Sequence, residues 1–239
     1  MAGTGLTAGR MSLILWVSTS PEIAPMITVI TAAFNHARFL TGAVESVRAQ
    51  LHQDWEHLVI DDGSTDDTPA VLAGLVRTGP DLRVLRTRNQ GQPAALNLGL
   101  AEARGEWVAF LDADDEFLPN HLGLLLETLG GRDFALGRFT LINCSPDPEP
   151  VVPDFYRPGR EIPVAEIESC TGLLFGRREA FLRVGGFRAV RSSDTDLCQR
   201  MKQAGSSWIR AGEPTYLYYF GRVRDHLALR ELQEARTGR

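Results

Sequence analysis

The stretch WVAFLDADDEFLP, residues 107–119, decides how the rest of the chain is read. Five apolar residues, Trp107 to Leu111, run directly into Asp112, Asp114, Asp115 and Glu116. A short apolar run bounded by turn-forming residues predicts a buried strand, so the acids fall at its carboxyl end. Two readings fit them. Acids just before Pro119 suit the positive end of a helix that begins there, which accounts for Asp115 and Glu116. Asp112 and Asp114 are two apart, and if strand geometry persists they point the same way and converge on one cation or polar ligand. Like charges clustered in this way repel unless a cation or donor compensates them. A Mg²⁺-like ion takes one or two protein carboxylates, with phosphates and water completing its shell. The pattern therefore suits a metal that arrives with a diphosphate.

Upstream of this stretch the chain alternates strands and helices. MITVIT (26–31) reads as a buried strand, and Phe39, Leu40, Ala43, Val44, Val47 and Leu51 follow at helical spacing. EHLVI (56–60) is a second strand, closed by the turn cluster DDGSTDDTP. Thr65 to Asp67 offer cap oxygens to a helix running through Val76, with Pro69 in its first turn. LRVL (82–85) is a third strand, QPAALNLGLAEA (92–103) a helix, and WVAFL (107–111) a fourth strand. Strands separated by helices of this length predict right-handed crossovers and a mainly parallel sheet. In open α/β sheets ligands bind outside the carboxyl ends of strands. Three polar clusters fall there: Thr31 to Asn35, Asp61 to Ser64, and Asp112 to Glu116.

Beyond residue 130 the expectation is a strand over FALGRFTLI (134–142) and a Pro-rich loop from Pro146 to Pro163, read as a lid or substrate loop. A strand near GLLFG, a short helix around Glu179 to Val184, a helix from about Asp194 to Gln203, and late strands at WIR and TYLYYF follow.

The whole chain has 239 residues, 44% hydrophobic and 23% charged, which is enough for one sizeable core. Its net charge of −5 and lack of a basic block argue against a nucleic-acid partner. Cys144, Cys170 and Cys198 are odd in number and widely spaced, so they read as reduced thiols. Residues 1–25 read as a flexible leader whose apolar patch, Leu13 to Val17, is too brief for a signal segment and far below the roughly 20 residues that span a bilayer. A cytoplasmic location and no transmembrane segment are expected, and Met11 is an alternative start.

The runs ITVITAAFNHARFLTGAVESVRAQLHQDWEHLVIDDGSTDDT (27–68), NQGQPAALNLGLAEARGEWVAFLDADDEFLPNHL (89–122) and VGGFRAVRSSDTDL (184–197) together resemble the GT-A glycosyltransferases of family 2. The likeness lies in the order and spacing of weak motifs, and it extends from about Met26 to Leu197. It implies an α/β GT-A (Rossmann-like) fold, a mainly parallel central sheet flanked by helices, with a smaller acceptor-side C-terminal portion. The implied domain is single, 26–239, with a nucleotide-sugar-binding half over 26–129 and an acceptor-binding half over 130–239.

The resemblance also implies the site. Thr31 and Asp62 would contact the base of a UDP-, GDP- or dTDP-sugar, with Ala32 and Asn35 in the same strand-end cluster. Asn89 and Gly91 match the family's NxG turn. Asp112 and Ala113 would lie along the donor, and Asp114 with Asp112 would hold Mg²⁺ or Mn²⁺. His226 resembles a histidine that approaches the metal or diphosphate; Arg222 and Arg224 have two readings, neutralising phosphate charge or standing as solvated arginines near a C-terminus.

Two positions depart from the family: Leu96 stands where an arginine is often found, and Ser193 replaces the glutamate of the ED motif. Asp194 then occupies the position of the catalytic base, and its competing reading is an N-cap for the helix through Gln203. The activity implied is an inverting, single sugar transfer to an unknown acceptor. A degenerate nucleotide-sugar binding protein is the alternative of a different class. A sugar nucleotidyltransferase fits less well, because TAAFNHARF lacks the Gly-rich, basic loop such an enzyme carries after its first strand.

Overall fold

A computed structural model of the chain describes residues 15–16, 27–79, 81–144, 151–153, 161–166 and 171–221. Its first half is β1 (Leu15–Trp16), β2 (Ile27–Ala33), α1 (Leu40–Arg48), β3 (Trp55–Asp61), α2 (Thr68–Thr78), β4 (Leu82–Arg86), α3 (Gln92–Glu102) and β5 (Trp107–Phe110). The second half is β6 (Glu116–Phe117), α4 (His121–Leu129), β7 (Phe134–Leu136), β8 (Phe139–Asn143), β9 (Val151–Pro153), β10 (Glu161–Pro163), β11 (Leu174–Arg177), α5 (Arg178–Arg183), α6 (Ser193–Gln203), β12 (Trp208–Arg210) and β13 (Tyr216–Phe220).

Eight strands form one sheet in the order β1-β4-β3-β2-β5-β11-β7-β12. Strands β4, β3, β2 and β5 run parallel, because each is followed by a helix that returns the chain across the sheet. Strand β11 enters antiparallel between β5 and β7, and β12 closes that side parallel to β7.

The pleat sends alternate residues to opposite faces. Ile27 and Val29 pack with Ala43 and Val47 of α1 and with Leu122, Leu125 and Leu129 of α4. Ile30 and Phe110 pack on the other face with Leu96 and Leu100 of α3, Phe181 of α5, and Leu197 and Met201 of α6. Residues that would look uniformly apolar along a strand thus serve two layers of helix, as a parallel sheet covered on both faces requires.

Three sequence expectations need correction. FALGRFTLI is two strands: β7 belongs to the main sheet, while β8 joins β6 and β13 in a separate three-stranded sheet. The chain leaves the main sheet at Gly137 and Arg138, whose main chains bond Leu173 and the Thr215–Tyr216 segment. Within the expected flexible leader, Leu15 and Trp16 pair antiparallel with Leu85 and Val84 on the sheet's edge. The helix after Pro119 begins only at His121, and the acids do not cap it, as the site geometry makes plain.

Among the described residues no helix is long and apolar enough to cross a membrane. Cys144 and Cys198 are free thiols. Cys170, Arg222, Arg224 and His226 lie outside the described residues.

Candidate functional site

Strands β4, β3, β2 and β5 lie side by side, so the loops after their carboxyl ends form one continuous rim, tied together by polar contacts. Between the β2 and β3 loops, Asn35 adopts φ 60° and its side-chain oxygen accepts from the Thr65 N–H at 2.8 Å. Its own N–H donates to Ser64 Oγ at 3.0 Å. Between the β3 and β4 loops, Asp62 accepts from the Gln90 N–H at 3.0 Å and from the Gly91 N–H at 2.8 Å. Gly63 makes that approach possible, because at φ 79° a Cβ would stand 2.7 Å from the Asn89 nitrogen. Asp61 turns inward, accepting from the Ser64 N–H at 2.8 Å and facing Arg86 at 3.5 Å. Between the β4 and β5 loops, Gln92 at the start of α3 donates to Asp112 Oδ1 at 3.1 Å.

The rim refines the sequence expectations residue by residue. Thr31 is wholly buried, and its hydroxyl lies 3.0 Å from His57 Nε2. The pleat turns Thr31 into the interior, and Ala32 is the first residue of β2 with exposed surface. His57 is itself neutral: burial, then the Arg48 charge, pushes it down to about 3. Asn35, Asp62, Asn89 and Gly91 all lie on the rim. Leu96 is buried in the core behind α3, so this position carries no group to the rim.

At the end of β5 the strand geometry does not continue through Asp114. The chain turns at Ala113 and Asp114, with the Asp115 N–H donating to the Asp112 carbonyl at 3.1 Å. The four acids separate accordingly. Asp112, Asp114 and Glu116 remain partly exposed, whereas Asp115 is buried. Neither Asp115 oxygen serves α4, as one accepts from Tyr216 Oη at 2.7 Å and the other from the Tyr219 N–H at 2.9 Å.

Burial, then the charges of Asp114 and Asp194, raises the Asp112 carboxyl to about 7, against hydrogen bonds from Tyr216 and the Gly172 main chain. Asp115 is raised as well, by burial and then by Asp114 and Asp112.

The charge of Asp194 reaches Asp112, so two distant parts of the chain lie near one another at this end of the sheet. Asp194 is the second residue of α6, while the cap position is held by Ser192 with φ 53° and no side-chain cap bond. Asp194 is thus not the N-cap residue. Its carboxyl is raised by burial, even though the Thr195 N–H donates to it at 2.8 Å. Asp196 accepts from Arg200 Nε at 2.8 Å and has Arg188 at 3.9 Å, so its charge is spent on a structural pair.

Sequence reasoning passed over the clasp that carries α6 to the rim. Asn97 of α3 donates to the Phe187 carbonyl at 2.8 Å and accepts from the Phe187 N–H at 2.8 Å. Arg200 holds the carbonyls of Val184 and Gly186 from the other side. The signal was a polar side chain next to Leu96, on a helix whose neighbours are buried.

Asp112 and Asp114 are hard oxygen donors close enough for the charge of Asp114 to raise Asp112, which fits a divalent cation. Among the described residues no group of three or more His, Cys, Asp or Glu side chains converges as a complete metal site. Two carboxylates are what a Mg²⁺-like ion takes from a protein when a ligand's phosphates complete its shell.

A family model described as Glycosyl transferase family 2 matches residues 28–196. A glycosyltransferase of Nostoc sp., named only as uncharacterized, is 44% identical over 108 residues, which is 45% of this chain and 34% of that protein. The succinoglycan biosynthesis protein ExoO of Rhizobium meliloti is 41% identical over 106 residues, 43% of this chain and 29% of the relative. The matches thus span about a third or less of these curated relatives.

Among solved structures, S. aureus TarS 1–349 in complex with UDP-GlcNAc superposes with a TM-score of 0.66 at 18% identity, covering 85% of this chain and 60% of that one. The mannosyltransferase PcManGT of Pyrobaculum calidifontis, in complex with GDP-Man and Mn²⁺, gives 0.65 at 24% identity, over 87% and 60%. Both likenesses speak to the fold, an α/β sheet flanked by helices of the GT-A type.

Proposed function

The chain belongs to glycosyl transferase family 2, and from that premise we propose that it transfers one sugar, with inversion, from a nucleoside diphosphate donor to an acceptor hydroxyl. The observation that carries this reading is the joined rim at the strand ends, where Gln92 at the start of α3 donates to Asp112 Oδ1 at 3.1 Å and Asp194 of α6 lies within electrostatic reach of the same carboxylate. One acid faces the donor and the other faces the incoming nucleophile.

The donor's nucleoside lies along the rim formed by Ala32, Asn35, Asp62 and the Asn89–Gly91 turn. Its diphosphate meets the amino end of α3, where main-chain N–H groups and the helix dipole favour an anion. Asp114, with Asp112, would hold Mg²⁺ or Mn²⁺; PcManGT, a neighbour in fold, is described with Mn²⁺ and GDP-Man. When bound, the ion supplies charge neutralisation for the departing diphosphate. His226, which lies outside the described residues, is kept as a further candidate ligand on the resemblance alone.

Asp194 takes the proton of the acceptor hydroxyl as its oxygen attacks the anomeric carbon from the face opposite the diphosphate. The new carbon–oxygen bond forms as the bond to the diphosphate oxygen breaks, and the electron pair leaves with the nucleoside diphosphate. A carboxyl raised by burial is a better base than an ordinary aspartate once ionised, because its proton affinity lies closer to neutrality. The expected cytoplasmic setting and the expected lack of a nucleic-acid partner belong to the same reading.

The test is a donor screen: UDP-, GDP- and dTDP-sugars with Mn²⁺, read by release of nucleoside diphosphate and by the anomeric configuration of the product. Inverted product supports the reading. Nucleotide binding without turnover on any acceptor would favour a binding protein, and a retained configuration would remove the mechanism.

A further inference from the structure

TYLYYF reads as an aromatic core strand, and Tyr216 is wholly buried, its ring 5.7 Å from that of Phe117 and 6.1 Å from that of His121. A buried phenol still needs a partner for its hydroxyl. Here the hydroxyl reaches the acid turn. It lies 2.7 Å from Asp115 Oδ2, 3.3 Å from the Asp112 main-chain nitrogen and 3.4 Å from Asp112 Oδ2. One hydroxyl carries one proton. The shortest contact takes it, so Tyr216 donates to Asp115 and accepts from the Asp112 N–H.

Three segments meet at this oxygen. Asp115 gives its second oxygen to the Tyr219 N–H at 2.9 Å, which locks the acid turn to β13 at two points. On the far side of the turn the Leu118 N–H donates to the Thr215 carbonyl at 2.8 Å. Gly172 closes the third side. A side chain there would overlap the hydroxyl end of the Tyr216 ring, and the Gly172 main chain bonds the Asp112 carboxylate.

We propose that Tyr216, acting through Asp115, is a positioning residue that sets the direction of the Asp112 and Asp114 carboxylates; this rests on the metal-assisted donor reading above. Asp115 is then the acid of the cluster that faces away from the ligand. Its task is to anchor the turn, and Asp112 and Asp114 are left as the pair that faces the diphosphate.

The test is calorimetric titration of UDP and GDP into wild type and Tyr216→Phe, each with and without Mn²⁺, with thermal melting alongside. Tyr216→Phe removes one oxygen and keeps the ring. The expected result is metal-free affinity within about twofold of wild type and a Mn²⁺-dependent enhancement reduced about tenfold, the scale of one lost hydrogen bond to a charged group. Leu125→Ala, a core change in the same cluster, should lower the melting temperature and leave the enhancement intact. If Tyr216→Phe does not fold, Asp115→Asn is read in the same titration with the same loss expected. An enhancement kept at the wild-type level in the folded variant overturns the positioning role alone. Wild type with no Mn²⁺ enhancement for either nucleotide overturns the metal-assisted reading and this role with it.

Discussion

Asp194 and Asp196 sit two residues apart on α6 and differ in what surrounds them. Asp196 is tied to Arg200, while Asp194 stands within electrostatic reach of Asp112. Asp194→Asn keeps size and hydrogen-bonding capacity at the helix start but cannot take a proton. Turnover on an identified acceptor should fall roughly a hundred- to ten-thousandfold, with donor affinity near wild type. Asp196→Asn should instead lose stability through the Arg200 contact and keep most of its turnover, and a wild-type rate in Asp194→Asn would move the base elsewhere. Asp62 supports a second expectation, altered by the structure. Its carboxylate holds two main-chain N–H groups of the Asn89–Gly91 turn, so Asp62→Ala should cost about 1–3 kcal/mol of stability as well as donor affinity. Melting and titration on the same sample separate the two effects, and a loss of stability with unchanged affinity would leave Asp62 a turn residue only.

At the scale of elements, α4 and the small sheet brace the acid turn from below through His121. This histidine opens α4, stacks on Phe117 at 3.9 Å and contacts Thr215 Oγ1 at 2.8 Å. Burial pushes its pKa down to about 3. The folded protein keeps His121 neutral while the unfolded chain binds a proton below about 6.5, so its contribution to stability is present above that pH and is lost as pH falls toward 3. The slope is about 1.4 kcal/mol per pH unit for one such group. The raised carboxyls of Asp112, Asp115 and Asp194 act in the opposite sense, so the informative quantity is a difference. Between pH 6.5 and 5, His121→Gln should lose less stability than wild type, by about 2 kcal/mol at most. Parallel curves in chemical denaturation would contradict a neutral buried imidazole.

The same scale shows what could be read from the sequence. The strands and helices from Ile27 to Phe110 were legible because strands alternate with helical spacing and each ends at turn-forming residues. The split of FALGRFTLI was not, since Gly137 is the only local sign that the chain changes sheets and the cause lies in distant partners, Leu173 and Thr215. Asp112 and Asp194 could be named from motif order, yet their proximity follows from the Asn97–Phe187 clasp, a pairing across 90 residues. For Thr31 the position beside the rim is visible in sequence, whereas its contact with His57 depends on the strand's pleat and pairing.

Over the whole molecule, two layers of helix cover the sheet, and the loops at one end of it are joined into a single rim of polar contacts. Asp112 has both Asp114 and Asp194 within electrostatic reach at that rim, on a chain whose net charge is already −5. A metal-bound nucleoside diphosphate would suit that charge, Asp112 and Asp114 holding the cation and the start of α3 receiving the phosphates. The most direct measurement is the affinity of UDP, GDP and dTDP for wild type and Asp114→Ala, each with and without Mn²⁺. The expected result is one nucleotide bound markedly tighter with Mn²⁺ in wild type, and most of that gain lost in a folded Asp114→Ala; equal metal dependence in the two proteins would contradict the assignment of the rim as a metal-assisted donor site.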